Sequence, residues 1–380
     1  MSASPPAPCS PSTPGRTALC TVLNDDFVPG FAVLVHSLKQ RHPGLNLPFI
    51  IIHNRKLAPL SKESRELVSR LYSNVRYHEA DDSRYGTVWA NRDEHLHTPE
   101  RLKPAFFILE AFALDEFDRV VTLDSDMICT GSLTALFEHA APFAATRSLN
   151  YKTGKPLDYF NTGVMVIGRL HLTGETYQAL LNHRISPDYN ARKGKADQAI
   201  LNDYFPIEQV CALDEAFNVT KRKYPDTAFN QINELLTENL RILHFVGEKP
   251  WQLHLTPEES NYAKLENLWA SILQEALTPG EILHHLRLQQ LKLSILQERQ
   301  SRLADLRRYA GNADTVISRL LDDLDGILPE RKTSLWGRLT GVFRHIRAGT
   351  LRRNISKARK KWSRQQTRMA RQLSAMTENP

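Results

Sequence analysis

Arg119-Val120-Val121-Thr122-Leu123-Asp124-Ser125-Asp126 is the stretch on which the fold turns. A short run of apolar and β-branched residues has the composition of a buried strand. This one ends in two carboxylates separated by a single residue. Open α/β sheets bind ligands beyond the carboxyl ends of their strands. No Lys or Arg follows closely enough to neutralise the pair. Two such acids suit a hard divalent cation, Mg²⁺ or Mn²⁺, which bridges protein oxygens to a substrate diphosphate. Taken alone, Asp-Ser-Asp reads better as an acidic turn, since such triplets are common in loops, so the metal reading depends on the rest of the chain.

Working outward, residues 17–23 and 48–52 read as further buried strands and 75–77 as a third. Helical patterns lie between them, over 31–41 and from Ser61 onward. Asn24-Asp25-Asp26 is expected as a loop at the carboxyl end of the first strand. Residues 84–100 are polar and read as a loop near the site. A helix is expected over 103–117, with Pro104 in its first turn. Beyond the acidic strand, 143–146 and 163–167 read as strands, 170–183 and 196–204 as helices, and 241–245 as a last short strand. Strands alternating with helices predict an α/β fold, a mostly parallel sheet with helices on both faces.

At 380 residues, 41% hydrophobic and 24% charged, the chain has the composition of an ordinary globular protein of one large or two moderate domains. The formal charge of +7 is unevenly placed. Residues 341–380 hold 11 Lys/Arg against the one acid Glu378, a net +10, which leaves −3 on the first 340. Cys9, Cys20, Cys129 and Cys211 are scattered, with no Cys-x-x-Cys pair. That argues against a zinc site or disulfide scaffold and for a reducing, cytoplasmic compartment. Residues 1–16 are Ser- and Pro-rich without an apolar core, and are expected to be a disordered leader rather than a secretory signal. No apolar run is long enough to cross a bilayer. After about residue 255 strand signals give way to helical patterns over 262–277, 280–306 and 306–328. Trp336, Leu339, Phe343 and Ile346 then form an apolar stripe opposite arginines. The stretch 336–371 suits an interfacial helix on an anionic membrane surface, and equally a solvated basic helix. Nucleic acid is a poorer partner, since no recognised binding module accompanies the charge. The expected domains are 1–16, 17–255, 256–330 and 331–380.

Other segments carry chemistry of the kind the acids would need. His244 ends a predicted strand and is a second candidate metal ligand, or a packed core histidine. Gly247 permits close backbone approach to a diphosphate and Lys249 offers it a point charge. The same residues would also make a surface turn. Asn161-Thr162 stands before Gly163 and its strand, where it would hydrogen-bond sugar hydroxyls or simply make a turn. Asp197-Gln198 opens a helix, as a carboxylate and amide gripping a hexose or as an N-terminal acid favoured by the helix dipole.

Six blocks in order make the pattern specific: Thr21-Val22-Leu23-Asn24-Asp25-Asp26-Phe27, Ser37-Leu38, Asp118 through Asp126, Phe160-Asn161-Thr162-Gly163-Val164-Met165-Val166, Asp197-Gln198-Ala199-Ile200-Leu201-Asn202, and His244-Phe245-Val246-Gly247-Glu248-Lys249-Pro250-Trp251. Over residues 17–255 the chain resembles the family 8 nucleotide-sugar glycosyltransferases, the glycogenin-like retaining enzymes, whose domain is of the GT-A type. The resemblance implies that Asp124, Asp126 and His244 hold Mn²⁺ (Mg²⁺ as substitute) against the diphosphate of a UDP-sugar. It implies that Leu23, Asn24 and Phe27 line the uridine pocket, Phe27 stacking on the base. Asn161, Thr162, Asp197 and Gln198 would meet the donor sugar, Ser125 would sit at the donor site, and Gly247 and Lys249 would bind phosphate. The basic residue such enzymes carry before the acidic strand would be Lys103, with Arg101 the other candidate. The spacing from His244 to Pro250-Trp251 is one residue shorter than in many members. No acid/base carboxylate pair stands out and Gln198 is a poor nucleophile, which points to same-face attack by the acceptor, with Gln198 and Asp197 as the catalytic candidates and Gln198 supporting the cationic transition state. The implied function is transfer of glucose or galactose to a glycan or glycolipid, in cell-surface polysaccharide or lipopolysaccharide synthesis; if the basic stretch 336–371 lies on a membrane, the expected acceptor is a lipid-linked glycan or lipopolysaccharide core at the cytoplasmic face. The alternative is a catalytically idle carbohydrate- or partner-binding protein on the same fold.

Overall fold

The computed structural model describes residues 16–150, 153–190, 193–223, 239–252, 260–287 and 301. The chain divides into two compact units, 1–287 and 288–380. Apart from Ser301 the described residues belong to the first. The expected leader over 1–15, the helical patterns beyond 287 and the basic stretch 336–371 lie outside the described residues.

A seven-stranded sheet carries the first unit. Its strands are β1 (Thr17–Val22), β2 (Phe49–His53), β3 (Val75–Glu79), β4 (Arg119–Leu123), β6 (Phe143–Asn150), β7 (Lys155–Gly168) and β8 (Cys211–Leu213), in the spatial order β3-β2-β1-β4-β7-β6-β8. The pairs β3/β2, β2/β1, β1/β4 and β6/β8 are parallel; β7 runs antiparallel to both β4 and β6. The sheet is thus mostly parallel, as expected, with one interior strand, β7, reversed.

Alternate residues of the strands feed two cores. Leu19, Ile51, Val121 and Val166 point to one face, where helices α1 (Val28–Arg41), α2 (Lys62–Leu71) and α7 (Asn261–Ala276) cover them. Ala18, Cys20, Ile50, Val120 and Ile167 point to the other, under α5 (Gly174–Asn182), α6 (Asp197–Tyr204) and a 3₁₀ segment, Glu100–Ala113. Burial on both faces explains why these strands read as nearly continuous apolar runs. Cys20 and Cys129 are buried free thiols and Cys211 is a partly buried one. Among the described residues no helix is long and apolar enough to cross a membrane.

Several expectations are corrected. The polar stretch 84–100 contains α3 (Gly86–Asn91) and a π turn, Arg92–Leu96, because Tyr85, Val88 and Leu96 supply enough apolar surface to dock them. The helix expected over 103–117 is the 3₁₀ segment, which starts three residues earlier, ends at Ala113 and carries Pro104 inside it. The helix expected over 170–183 begins only at Gly174, where the Thr173 hydroxyl caps it by accepting the Thr176 N–H. Asn161 and Thr162 do not precede a strand but lie within the 14-residue β7.

A second, three-stranded sheet was not foreseen. It is built from β5 (Met127–Cys129), β9 (Val219–Thr220) and β10 (Ile242–His244), in the order β5-β10-β9. The Ser37 hydroxyl of α1 accepts the Cys129 N–H at 2.9 Å and so docks β5 on that helix.

Candidate active site

The acid pair leaves β4 at the carboxyl edge of the large sheet. The Asp124 N–H donates to the Gly163 carbonyl of β7 at 2.9 Å, which holds the turn against the neighbouring strand. From Asp126 the chain enters β5, which pairs antiparallel with β10 in the register His244↔Met127. The Phe245 N–H donates to the Asp126 carbonyl at 2.9 Å. This ladder carries the imidazole to the acids. His244 Nε2 lies 3.2 Å from Asp126 Oδ1 and 3.4 Å from Asp124 Oδ2. The three ligand atoms fall within 4.8 Å of one another. Two hard carboxylates and one imidazole are a donor set that a Mn²⁺-class ion accepts, so the residues fit the implied metal.

Asp124 and Asp126 are not equivalent. The Asp124 side chain is 50% exposed and the Asp126 side chain 4%. Burial by itself would raise the Asp126 carboxyl, but His244 and then Lys249 outweigh it and hold it well below the usual carboxylate range. Lys249 donates to Asp126 Oδ2 and, at 3.0 Å, to the Phe245 carbonyl. Its ammonium also sits 5.9 Å above the Phe27 ring. Lys249 therefore stands at the acid pair. Gly247, two residues before it, adopts φ +83° and makes the turn that brings it back.

Asn24 caps the short turn Asp25–Phe27 by accepting the Phe27 N–H at 3.2 Å. Phe27 meets Trp251 edge-on at 5.5 Å, with part of its ring still open to solvent. The Leu23 side chain is buried in the core, which leaves its backbone as the group available to a ligand. Ser125 is buried, and its carbonyl lies against Gly30 of α1, where a Cβ would come within 2.4 Å of it.

The sugar-facing candidates are joined to this cluster. The Asn161 Nδ2 donates to Gln198 Oε1 at 3.0 Å, and Gln198 Nε2 donates to the Lys193 carbonyl at 2.8 Å. Thr162 gives its hydroxyl to Asp197, whose pKa is pushed up to about 7 by burial, against that hydrogen bond and with help from the charge of Asp124. At neutral pH this carboxyl is poised between donor and acceptor forms, which suits contact with a hydroxyl-rich ligand.

Lys103 is placed differently. Its ammonium pairs with Glu100 and lies 5.6 Å over the Trp89 ring, and no described contact ties it to the acid pair. Two residues near the site were missed. Asn218 contacts His244 and Asn161. Lys221, buried, donates to the Glu248 carbonyl at 2.6 Å and so braces the turn bearing Lys249. Both flank β9, a two-residue strand too short to leave a periodic signal.

Residues 18–254 match the model of glycosyl transferase family 8. The chain is 26% identical over 258 residues to the glycogenin of Neurospora crassa, covering 66% of this chain and 34% of that protein. It is 30% identical over 196 residues to the glycosyltransferase GlyE of Streptococcus pneumoniae, covering 49% of this chain and 44% of that one. Among solved structures, a complex of the galactosyltransferase LgtC with donor and acceptor sugar analogues superimposes with a TM-score of 0.47 at 19% identity, over 71% of this chain and all of that one. The fold is a mostly parallel α/β sheet with the acid–histidine cluster at the carboxyl edge of its strand β4. The chain belongs to glycosyl transferase family 8. It spans between about a third and under half of the length of these curated relatives.

Proposed function

We propose that the protein moves a hexose, glucose or galactose, from its UDP donor to a glycan or glycolipid acceptor with retention of anomeric configuration. The observation that carries this reading is the convergence of Asp124, Asp126 and His244 at the carboxyl edge of the sheet, with Lys249 against them. Mn²⁺, or Mg²⁺ in its place, would be held by those three residues and would supply Lewis-acid charge to a leaving diphosphate. Lys249 adds a positive charge beside the same phosphates, and Gly247 lets the backbone approach them. Phe27 offers an aromatic surface to uracil, with Leu23 and Asn24 beside it. Ser125 lies at the donor phosphates, and Lys103 serves as a more remote cation.

Asn161, Thr162, Asp197 and Gln198 orient the donor sugar. The Gln198 side-chain oxygen already accepts from Asn161, so it acts as a fixed dipole supporting positive charge at the anomeric carbon rather than as a nucleophile. The acceptor hydroxyl then attacks on the face from which UDP departs and passes its proton to the leaving phosphate oxygen. A cavity lined by Thr146, Arg147, Asn161, Asn218, Thr220 and Lys223 adjoins this position and suits a hydroxyl-bearing acceptor. The basic stretch 336–371 supports a peripheral contact with an anionic membrane surface on the cytoplasmic side, where a lipid-linked or lipopolysaccharide-core acceptor would be found.

Release of UDP from UDP-glucose and UDP-galactose tests the reading. Release is expected with Mn²⁺, lost on chelation and restored on adding the ion back. Calorimetry showing no UDP binding in the presence of Mn²⁺ would overturn it. UDP binding without any turnover would favour the idle binding protein. Replacing Phe27 with Ala should weaken UDP by about 10-fold, the scale of one base–aromatic stack, in a calorimetric titration. An unchanged affinity would remove Phe27 from the pocket.

A further inference from the structure

A chain of side-chain amides runs from the sugar-facing residues to the metal-facing histidine, and its hydrogen-bond directions are fixed at both backbone anchors. The Lys193 carbonyl can only accept, so the Gln198 atom 2.8 Å from it is Nε2. Gln198 therefore turns Oε1 toward Asn161, and Asn161 must answer with Nδ2 at 3.0 Å. The Gly163 N–H can only donate, and it independently requires Oδ1 on the other arm of Asn161, at 2.9 Å. The two anchors agree. That same Oδ1 accepts Asn218 Nδ2 at 2.7 Å, which turns the Asn218 Oδ1 toward His244 Nδ1 at 2.8 Å. An amide oxygen cannot donate, so the proton of the neutral imidazole sits on Nδ1. Nε2 is left with its lone pair facing the two carboxylates.

We infer that Asn218 is a positioning residue that selects the metal-binding tautomer of His244, and that Asn161 and Gln198 hold Asn218 in the required sense. The inference rests on the metal reading above. It adds that a residue touching neither ion nor donor sets the ion's affinity. Outer partners of ligating histidines change metal affinity by about 10- to 100-fold when removed. The same amides reach the sugar-binding residues, so the imidazole and the donor sugar share one hydrogen-bonded network.

Two measurements test this. The first needs no variant. In metal-free protein labelled with nitrogen-15 at histidine, raised in pH until the ring is neutral and assigned with His244→Gln, His244 is expected as the Nδ1–H tautomer. A ring protonated on Nε2 would overturn the inference. The second is Mn²⁺ affinity without donor, read by electron paramagnetic resonance of the free ion, in wild type and Asn218→Leu. The variant is expected to bind Mn²⁺ about 10- to 100-fold more weakly, with the thermal transition retained and the two tautomers mixed. Equal Mn²⁺ affinity in a folded Asn218→Leu protein would overturn the inference and leave the metal reading standing. Failure of the wild type itself to bind Mn²⁺ would overturn the metal reading, and the inference with it.

Discussion

Replacing Asp126 with Asn is expected to lower kcat/KM for sugar transfer by about 10³-fold, the scale seen when a site loses one group that stabilises transition-state charge. The substitution removes charge and keeps shape. The side chain is 4% exposed and its two oxygens face the His244 imidazole and the Lys249 ammonium. Without the negative charge, the proposed metal site keeps one carboxylate and one imidazole of its three candidate ligands, and Lys249 loses its anionic partner. The strands on either side are bound by backbone hydrogen bonds, so the fold persists. Thermal melting with added Mn²⁺ separates these effects. A ligand at 100 times its Kd stabilises by about 2.7 kcal/mol. Wild type should therefore melt higher with Mn²⁺, and Asp126→Asn should not respond. A variant that still transfers sugar at wild-type rate would exclude Asp126 from the site.

The second large effect is expected from a single methyl group. Gly163 lies in β7 beside the histidine. A Cβ there would come within 2.5 Å of His244 Cε1, 2.8 Å of Nδ1 and 2.9 Å of Asn161 Oδ1. Each is closer than carbon and its neighbours tolerate, and none of the three atoms is the free end of a flexible chain. The ring is held by β10 and by Asn218, and the amide by Gly163 and Gln198. Gly163→Ala must therefore shift either the imidazole or the strand. Overpacking of this kind costs about 1–3 kcal/mol of stability. A displacement near 1 Å at a catalytic constellation costs about 10²-fold in rate. Gly174→Ala, at a helix position with open space around it, is the control and should be close to neutral. Chemical denaturation and UDP release in the two variants check this. Equal rates in both would mean that the metal site does not depend on the close approach of β7.

The contrast between these two residues shows what could be read from the chain alone. Asp126 was legible because a carboxylate at the end of an apolar run announces itself locally. The strands β1, β2 and β4 were legible for the same reason: they are buried on both faces, so their residues are apolar without interruption. Gly163 was visible as a letter, but the neighbour it must avoid comes from a segment 81 positions further along. The outer half of β7, Lys155-Pro156-Leu157-Asp158-Tyr159, is largely solvent-facing and polar, which hid both the length of the strand and the place of Asn161 and Thr162 inside it. The stretch 84–100 looked like a loop because its few buried residues are outnumbered by charges, yet those few dock it onto the sheet.

By itself the sequence determined the chemical identities: two hard carboxylates, an imidazole, a lysine and a set of amides, each on a segment whose local pattern could be read. Their order along the chain was enough to indicate the family. Only the tertiary structure decided that Asp126 and His244 meet, because the meeting depends on β5 and β10, two three-residue strands from segments more than a hundred residues apart. The apolar run over 241–245 was legible as a strand, but β5 is too short to announce itself, and neither segment shows which partner it pairs with. Their stability comes from pairing with each other and packing on α1, and such terms exist only once the chain has folded. The same holds for the direction of the amide chain through Asn218, which is set by two backbone groups that the sequence alone does not bring together.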